Sequence, residues 1–119
     1  IFIFIFCLFA FNANAKETTF KKELFDKAQA EGKVVIVSSW IKYCSSCASQ
    51  MKVLDKAKND FDNIEYFAFD VTNKEIAELF DVQYQTTLLI FKDKKLVYRS
   101  IGETTKDLIY KAIKSSIKI

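Results

Sequence analysis

Hydrophobic residues recur at helical spacing in four segments of the chain, and short apolar runs separate these segments. Thr18 or Thr19 can cap a helix that begins after them, and Gly32 is the type of residue that ends one. The pattern therefore predicts a first helix before Gly32. Its apolar face consists of Phe20, Leu24, Phe25 and Ala28.

The next elements are predicted to be a buried strand, a helix and a second strand. Residues 34–37 form an unbroken apolar run typical of a buried strand, and residues 38–40 lead out of it. Residues 64–71 are dense in aromatic and branched side chains, which suits a strand deep in a sheet. The helix between them has its apolar residues at Cys47, Met51, Leu54 and Ala57.

The last part of the chain is predicted to contain a short helix, a hairpin and a final helix. Residues 73–80 form the short helix, and two apolar runs bracket the turn Asp93-Lys94 as an antiparallel hairpin. The final helix covers residues 104–117. This order predicts an α/β fold, a mixed sheet with helices on both faces. The inward residues of the two helices are predicted to be Ile76, Leu79 and Phe80, and Leu108, Ile109, Ala112 and Ile113.

The first fifteen residues differ from the rest and predict a secretory signal peptide. Residues 1–11 are apolar, and residues 12–15 end in a small-x-small pattern, so cleavage is expected after Ala15. The apolar run is shorter than the roughly 20 residues of a transmembrane helix, although an uncleaved anchor remains an alternative. The absence of an initiator Met and of a basic start predicts that a few residues precede Ile1. Residues 16–119 are expected to form one domain.

Composition limits the classes of function. A chain of 119 residues with 28% charged residues fits one ordinary globular domain. The net charge of +3 comes from interspersed residues of both signs, so nothing favours nucleic-acid binding.

The candidate chemistry lies in Cys44-Ser45-Ser46-Cys47, two thiols placed at the start of a predicted helix. Free backbone N–H groups and the helix dipole stabilise a thiolate there, which predicts a redox-active pair. The third cysteine, Cys7, would leave with the signal peptide. Because the chain has no histidine, one copy offers a metal only two good ligands, so no metal site is predicted within one chain.

The residues around this pair resemble the thioredoxin family. Residues 40–47 are similar to its W-x-x-W-C-x-x-C signature, with Tyr43 in place of the second tryptophan. Residues 80–82 and 87–92 resemble the segment that leads through the family's cis-proline into its fourth strand, and Gly102 matches a glycine after the fifth. The resemblance implies a thioredoxin fold whose first strand is short or absent.

Two positions depart from the family pattern. Thr86 stands where the family has its cis-proline, and because a cis bond before a non-proline residue costs about 3–4 kcal/mol, the Gln85–Thr86 bond is expected to be trans. Ser38 aligns with the buried aspartate of many members, and Tyr66 aligns with its lysine partner.

Together with the predicted signal peptide, the resemblance implies an exported, periplasmic thiol-disulfide oxidoreductase, with Cys44 as nucleophile and Cys47 as resolving thiol. It favours a reductase that acts on protein disulfides, receives electrons from a membrane thiol carrier and needs no cofactor. The alternative is a non-catalytic binding module, or a metal or iron–sulfur site shared by two copies through the same cysteines. The substrate-binding residues implied are Trp40, Tyr43, Gln85 and Thr86, with Trp40 equally suited to packing.

Overall fold

The computed structural model describes residues 18–119. The predicted signal peptide, Cys7, the cleavage site after Ala15 and the alternative of an uncleaved anchor lie outside this range. Within it, no helix is long and apolar enough to cross a membrane.

The described part of the chain has strands and helices in nearly the predicted order, with one short strand added at the start. The elements are β1 (Thr18–Thr19), α1 (Lys22–Ala30), β2 (Val34–Trp40), α2 (Ser45–Asp60), β3 (Ile64–Asp70), α3 (Lys74–Leu79), β4 (Thr87–Lys92), β5 (Lys95–Ile101) and α4 (Lys106–Ile117).

The strands form one mixed sheet in the order β1-β3-β2-β4-β5. β2 runs parallel to β3 and antiparallel to β4, so it lies at the centre of the sheet. β1 contributes only two residues beside β3, in agreement with the expectation of a short first strand. The mixed sheet confirms the predicted fold class.

Each face of the sheet buries its own hydrophobic cluster, because successive side chains of a strand point to opposite faces. Ile36 and Tyr66 pack with Leu54 of α2 and Ile109 of α4 in one cluster. The other cluster is rich in phenylalanine, and its aromatic members include Phe20, Phe25, Phe67, Phe69 and Phe80. β2 is buried on both faces from Val34 to Ser39, which fits a central strand.

The predicted start of the first helix is wrong. Thr18 and Thr19 do not cap α1; they pair with Phe67 and Ala68 as β1. α1 therefore begins later, after Lys21, which provides no side-chain cap.

The predicted apolar faces included three leucines that the structure places on the surface. Leu24, Leu79 and Leu108 are all about half exposed. Each lies at the border of a buried stripe that is narrower than the apolar face in the sequence. Ala77 takes the inward position in α3, and Gln29 and Ser116 complete the buried faces of α1 and α4.

Two backbone predictions can be compared directly with the structure. The hairpin is present, and both turn residues, Asp93 and Lys94, have positive φ values of 52° and 68°, as a tight two-residue hairpin turn requires. The second strand is longer than expected, because Ser38, Ser39 and Trp40 continue its pairing with β3.

Candidate active site

Cys44 is the N-cap residue of α2, at the point where the chain leaves β2 and turns into the helix. Its sulfur accepts a hydrogen bond from the backbone N–H of Cys47 at 3.2 Å. This N–H is one of the groups that a helix N-terminus leaves unpaired, so it would stabilise a thiolate on Cys44 when the pair is reduced.

The two cysteines form a disulfide with an S–S distance of 2.26 Å, as the C-x-x-C motif predicts. Their environments differ. Cys44 is partly exposed, whereas Cys47 is only 2% exposed. Attack on a large substrate is therefore possible at Cys44 and sterically hindered at Cys47.

Thr86 lies against both sulfurs. Its hydroxyl is 3.2 Å from the Cys47 sulfur and 3.6 Å from the Cys44 sulfur. The same hydroxyl is 2.9 Å from the hydroxyl of Ser46, which in turn is 3.4 Å from the Cys44 sulfur. Thr86 thus occupies the position that the resemblance assigned to it, with its hydroxyl directed at the disulfide.

The backbone at Thr86 has an unusual conformation. Among residues 18–119 no peptide bond is cis, which confirms the expected trans bond before Thr86. Instead, Thr86 has a φ of 61°, a left-handed conformation that is unfavourable for a β-branched residue. Such strain persists only where the surroundings fix the residue.

Hydrogen bonds from β2, from α2 and from the loop after β5 fix Thr86, which lies in the loop before β4. Its N–H donates to the Ser39 carbonyl at 2.9 Å, and its carbonyl accepts from the Gly102 N–H at 2.9 Å. The carbonyl also accepts from the side-chain amide of Gln50 at 3.2 Å. The same amide donates to the carbonyl of Glu103 at 2.9 Å, so Gln50 links α2 to both loops.

Ser39 is a second anchor of this loop. Its hydroxyl donates to the Tyr84 carbonyl at 2.8 Å and accepts the N–H of Thr87 at 3.0 Å. Sequence reasoning missed Ser39 and Gln50. The available signal was a polar side chain in an otherwise apolar strand or helix face, since both residues are buried.

Ser38 and Tyr66, aligned with the buried acid–base pair of the family, do contact each other. Their hydroxyls lie 2.9 Å apart in the core, and both residues are fully buried. Two hydroxyl groups therefore occupy the positions at which many family members have a buried carboxylate and its ammonium partner.

The remaining predicted site residues, Tyr43, Gln85 and Trp40, differ in their exposure. Tyr43, next to Cys44, is fully exposed and has a φ of 62°. Gln85, next to Thr86, is also exposed. Trp40 is half buried, packs against the core and lines a cleft of about 220 Å³ with residues that include Asp70.

Asp70 ends β3 beside Trp40 in the sheet register. The backbone N–H of Thr72 donates to its carboxylate at 2.9 Å and the Thr72 hydroxyl at 2.8 Å. These bonds, with a smaller contribution from the charge of Lys42, hold the pKa of Asp70 below its ordinary value of 3.8, and partial burial opposes them.

Between residues 18 and 119 no group of three or more His, Cys, Asp or Glu side chains is placed to hold a metal ion. A site shared by two copies would need both sulfurs at the surface, and the burial of Cys47 works against this arrangement.

Comparisons with known proteins agree with this geometry. The chain matches the thioredoxin family model over residues 13–115. It is 26% identical over 90 residues to an H-type thioredoxin of Fagopyrum esculentum, an alignment that covers 75% of this chain and 78% of the relative. It is 31% identical over 81 residues to a thioredoxin of Chlamydia muridarum, covering 67% and 79%.

A solved structure shows the same fold. The crystal structure of Trxlp from Edwardsiella tarda EIB202 superposes with a TM-score of 0.73 at 27% sequence identity, and the match covers 79% of this chain and 94% of that one. Together these similarities support the resemblance drawn from the residues around Cys44.

Proposed function

The chain belongs to the thioredoxin family and is a thiol-disulfide oxidoreductase, and from that premise we propose that it is an exported reductase of protein disulfides. The observation that carries disulfide exchange through Cys44 is the asymmetry of the pair, and the reducing direction rests on the resemblance around Trp40. Cys44 is partly exposed and accepts a helix N-terminal N–H, and Cys47 is buried behind it.

This asymmetry assigns the two steps of the reaction. The Cys44 thiolate attacks one sulfur of a substrate disulfide, forms a mixed disulfide and releases the other sulfur as a thiolate, which takes up a proton. Cys47, as a thiolate, then attacks the Cys44 sulfur and displaces the second substrate sulfur. Two electrons pass from the dithiol to the substrate, and the Cys44–Cys47 disulfide forms.

Docking is assigned to the exposed residues that border Cys44. Tyr43 offers an exposed ring, a side chain favoured at protein interfaces, and Gln85 offers an exposed polar side chain beside Thr86. Trp40 contributes only the part of its surface that is not packed against the core. Thr86 contacts the sulfurs themselves and so acts at the point of exchange.

Export and the electron source rest on the sequence. The apolar start of the chain and the small residues before Lys16 support secretion, and a reductase outside the cytoplasm needs a membrane thiol carrier to return it to the dithiol form. Expression with the native start should yield a chain whose mass corresponds to an N-terminus at Lys16 outside the cytoplasm. Retention of the full-length chain in the cytoplasm would refute export.

The enzymatic proposal is tested by trapping. Cys47→Ser removes the resolving thiol, so mixed disulfides between Cys44 and substrate proteins should accumulate and be visible on non-reducing gels. Cys44→Ser is the matched control, because it leaves only the buried thiol and should trap almost nothing. Equal and empty lanes for both variants would contradict exchange through Cys44.

A further inference from the structure

Two hydroxyl groups connect the buried sulfur of Cys47 to the protein surface. We propose that Thr86 and Ser46 form a proton relay that carries the proton of Cys47 to solvent, or to the departing substrate thiolate, during the resolving step. This inference rests on the proposed function, because it concerns the second half of the same exchange.

The geometry forms a continuous chain of contacts. The Cys47 sulfur is 3.2 Å from the Thr86 hydroxyl, which is 2.9 Å from the Ser46 hydroxyl. Solvent exposure rises from the first residue of this series to the last: Cys47 is 2% exposed, Thr86 is 3% exposed, and Ser46 is exposed to solvent. In the disulfide form the Thr86 hydroxyl can only donate to the Cys47 sulfur, whereas in the reduced form the Cys47 thiol can donate to Thr86. The Thr86–Ser46 contact can run in either direction, so the hydrogen bonds can reverse as a relay requires.

A relay is needed because the usual bases are missing. The chain contains no histidine. Ser38, which aligns with the buried aspartate of many family members, contacts Tyr66, and neither side chain is a carboxylate. A buried thiol must nevertheless lose its proton before it becomes a nucleophile. The Thr86 hydroxyl lies within hydrogen-bond distance of the Cys47 sulfur and leads through Ser46 to the surface.

The step is balanced in atoms and electrons. The thiol proton of Cys47 passes to the Thr86 oxygen, the proton of Thr86 passes to Ser46, and the proton of Ser46 passes to water or to the departing thiolate. The electron pair left on the Cys47 sulfur forms the new bond to the Cys44 sulfur. The bond between Cys44 and the substrate breaks, and its electron pair leaves on the substrate sulfur. Both hydroxyl groups are restored.

The strained backbone is an independent sign that this hydroxyl is placed for chemistry. Thr86 has a φ of 61°, yet its N–H and carbonyl are held by Ser39, Gly102 and Gln50. Strained residues that are fixed in this way cluster at active sites. The conformation that these bonds fix places the hydroxyl of Thr86 against the sulfurs.

The test separates the two steps of exchange in the complete protein. A reduced sample is mixed rapidly with a peptide joined by a disulfide to a chromophoric aromatic thiol. Attack by Cys44 releases the chromophore. The attack by Cys47 is measured as the decay of the peptide–Cys44 mixed disulfide, which is quantified by mass spectrometry in samples quenched with acid at successive times.

The variants are Thr86→Val and Ser46→Ala, and Ser45→Ala is the control. Ser45 is the other serine between the cysteines and is exposed, and within the described range its side chain makes none of these contacts. Both relay variants should slow the decay of the mixed disulfide by about 10²-fold, the low end for a positioned proton-transfer group. Chromophore release should change much less. Each variant loses one contact to the Cys44 sulfur, at 3.4 Å for Ser46 and 3.6 Å for Thr86, but the shorter hydrogen bond from the Cys47 N–H at 3.2 Å remains.

Three further readouts distinguish a relay from a structural role. Thr86→Ser should restore the resolving rate, and the double variant should be no slower than the slower single variant. In this step wild type should lose more rate in heavy water than Thr86→Val, because several protons move along the relay and only the Cys47 proton moves without it. If Thr86→Val fails to fold, Ser46→Ala decides alone, because Ser46 is exposed.

Resolving rates equal to wild type in the relay variants, or an equal loss in Ser45→Ala, would overturn the relay and leave the proposed function standing. A wild-type protein that forms no mixed disulfide would overturn the proposed function and the relay together.

Discussion

Replacing Gln50 with methionine is expected to preserve the stability of the fold while slowing disulfide exchange. Gln50 is fully buried in α2, and its amide donates to the carbonyls of Thr86 and Glu103. Methionine has nearly the same length and leaves no cavity. It removes one of the two hydrogen bonds that hold the Thr86 carbonyl; the other, from Gly102, remains.

The magnitude follows from the contacts. Two buried neutral hydrogen bonds contribute about 1 kcal/mol each, so their loss costs about 2 kcal/mol. The side-chain oxygen of Gln50 is buried and has no hydrogen-bond partner among residues 18–119, and removing such an atom returns about 1–3 kcal/mol. The free energy of unfolding of Gln50→Met should therefore lie within about 1.5 kcal/mol of wild type, as for other volume-conserving core changes.

Gln50→Ala provides the contrast. It loses the same hydrogen bonds and also leaves a cavity, which for a side chain of this length costs about 2–5 kcal/mol more. Urea unfolding of both variants, with the surface substitution Gln83→Met as control, measures the difference. The resolving step should be slower in Gln50→Met and unchanged in Gln83→Met.

The reasoning would be refuted in either of two ways. Gln50→Met could be as unstable as Gln50→Ala, which would mean that the hydrogen bonds and not the packing carry the stability. Alternatively, Gln50→Met could exchange disulfides at the wild-type rate, which would mean that the anchor on Thr86 does not matter for catalysis.

Three further predictions concern stability. Hydrogen bonds from Thr72 lower the pKa of Asp70. The stability that the ionised Asp70 carboxylate contributes is therefore present above about pH 4 and lost as the pH falls through the folded pKa. Asp70→Asn should make the urea midpoints at about pH 7 and about pH 3 more similar than they are in wild type. Burial and a hydrogen bond to Asp60 raise the pKa of Tyr110 to about 12. The stability that the neutral Tyr110 side chain contributes is therefore present below about pH 10 and lost as the pH rises through the folded pKa. Tyr110→Phe should reduce the loss of stability between about pH 8 and about pH 11, and an unchanged loss would exclude Tyr110 as its cause. Lys94 has a φ of 68° in the hairpin turn, so Lys94→Gly should raise the free energy of unfolding by about 0.5–1 kcal/mol, and a lower midpoint would contradict the role assigned to that backbone conformation.

The sequence was sufficient for the features that depend on local pattern. The buried run before Trp40, the helical spacing after Cys47 and the turn at Asp93 predicted the central strand, the redox helix and the hairpin. Cys44 was correctly placed at the helix start. These features arise from neighbouring residues, whose periodicity is visible in the chain.

The hydrogen bonds that hold the active-site loop could not be predicted from local sequence pattern. Gln50 and Thr86 are 36 positions apart, and Ser39 and Thr87 are 48 apart. Nothing near either residue in the sequence indicates its partner. The positive φ of Thr86 is also set by these distant contacts, since local preference for a β-branched residue opposes it.

Surface leucines show a second limit of pattern reading. Leu24 and Leu108 lie at helical spacing with core residues, yet both are exposed. Periodicity identifies a face of a helix, but the width of the buried stripe depends on how closely the helix approaches the sheet. That distance is a property of the tertiary packing.

The measurement that tests the central claim most directly is the equilibrium reduction potential of the Cys44–Cys47 pair. The protein is equilibrated with thiol–disulfide buffers of defined potential, the free thiols are trapped, and the reduced fraction is counted by mass. A reductase predicts a reversible two-electron titration with a midpoint of about −270 mV or below. A midpoint of about −120 mV would contradict the reducing direction, and a pair that does not titrate reversibly would contradict disulfide exchange as its function.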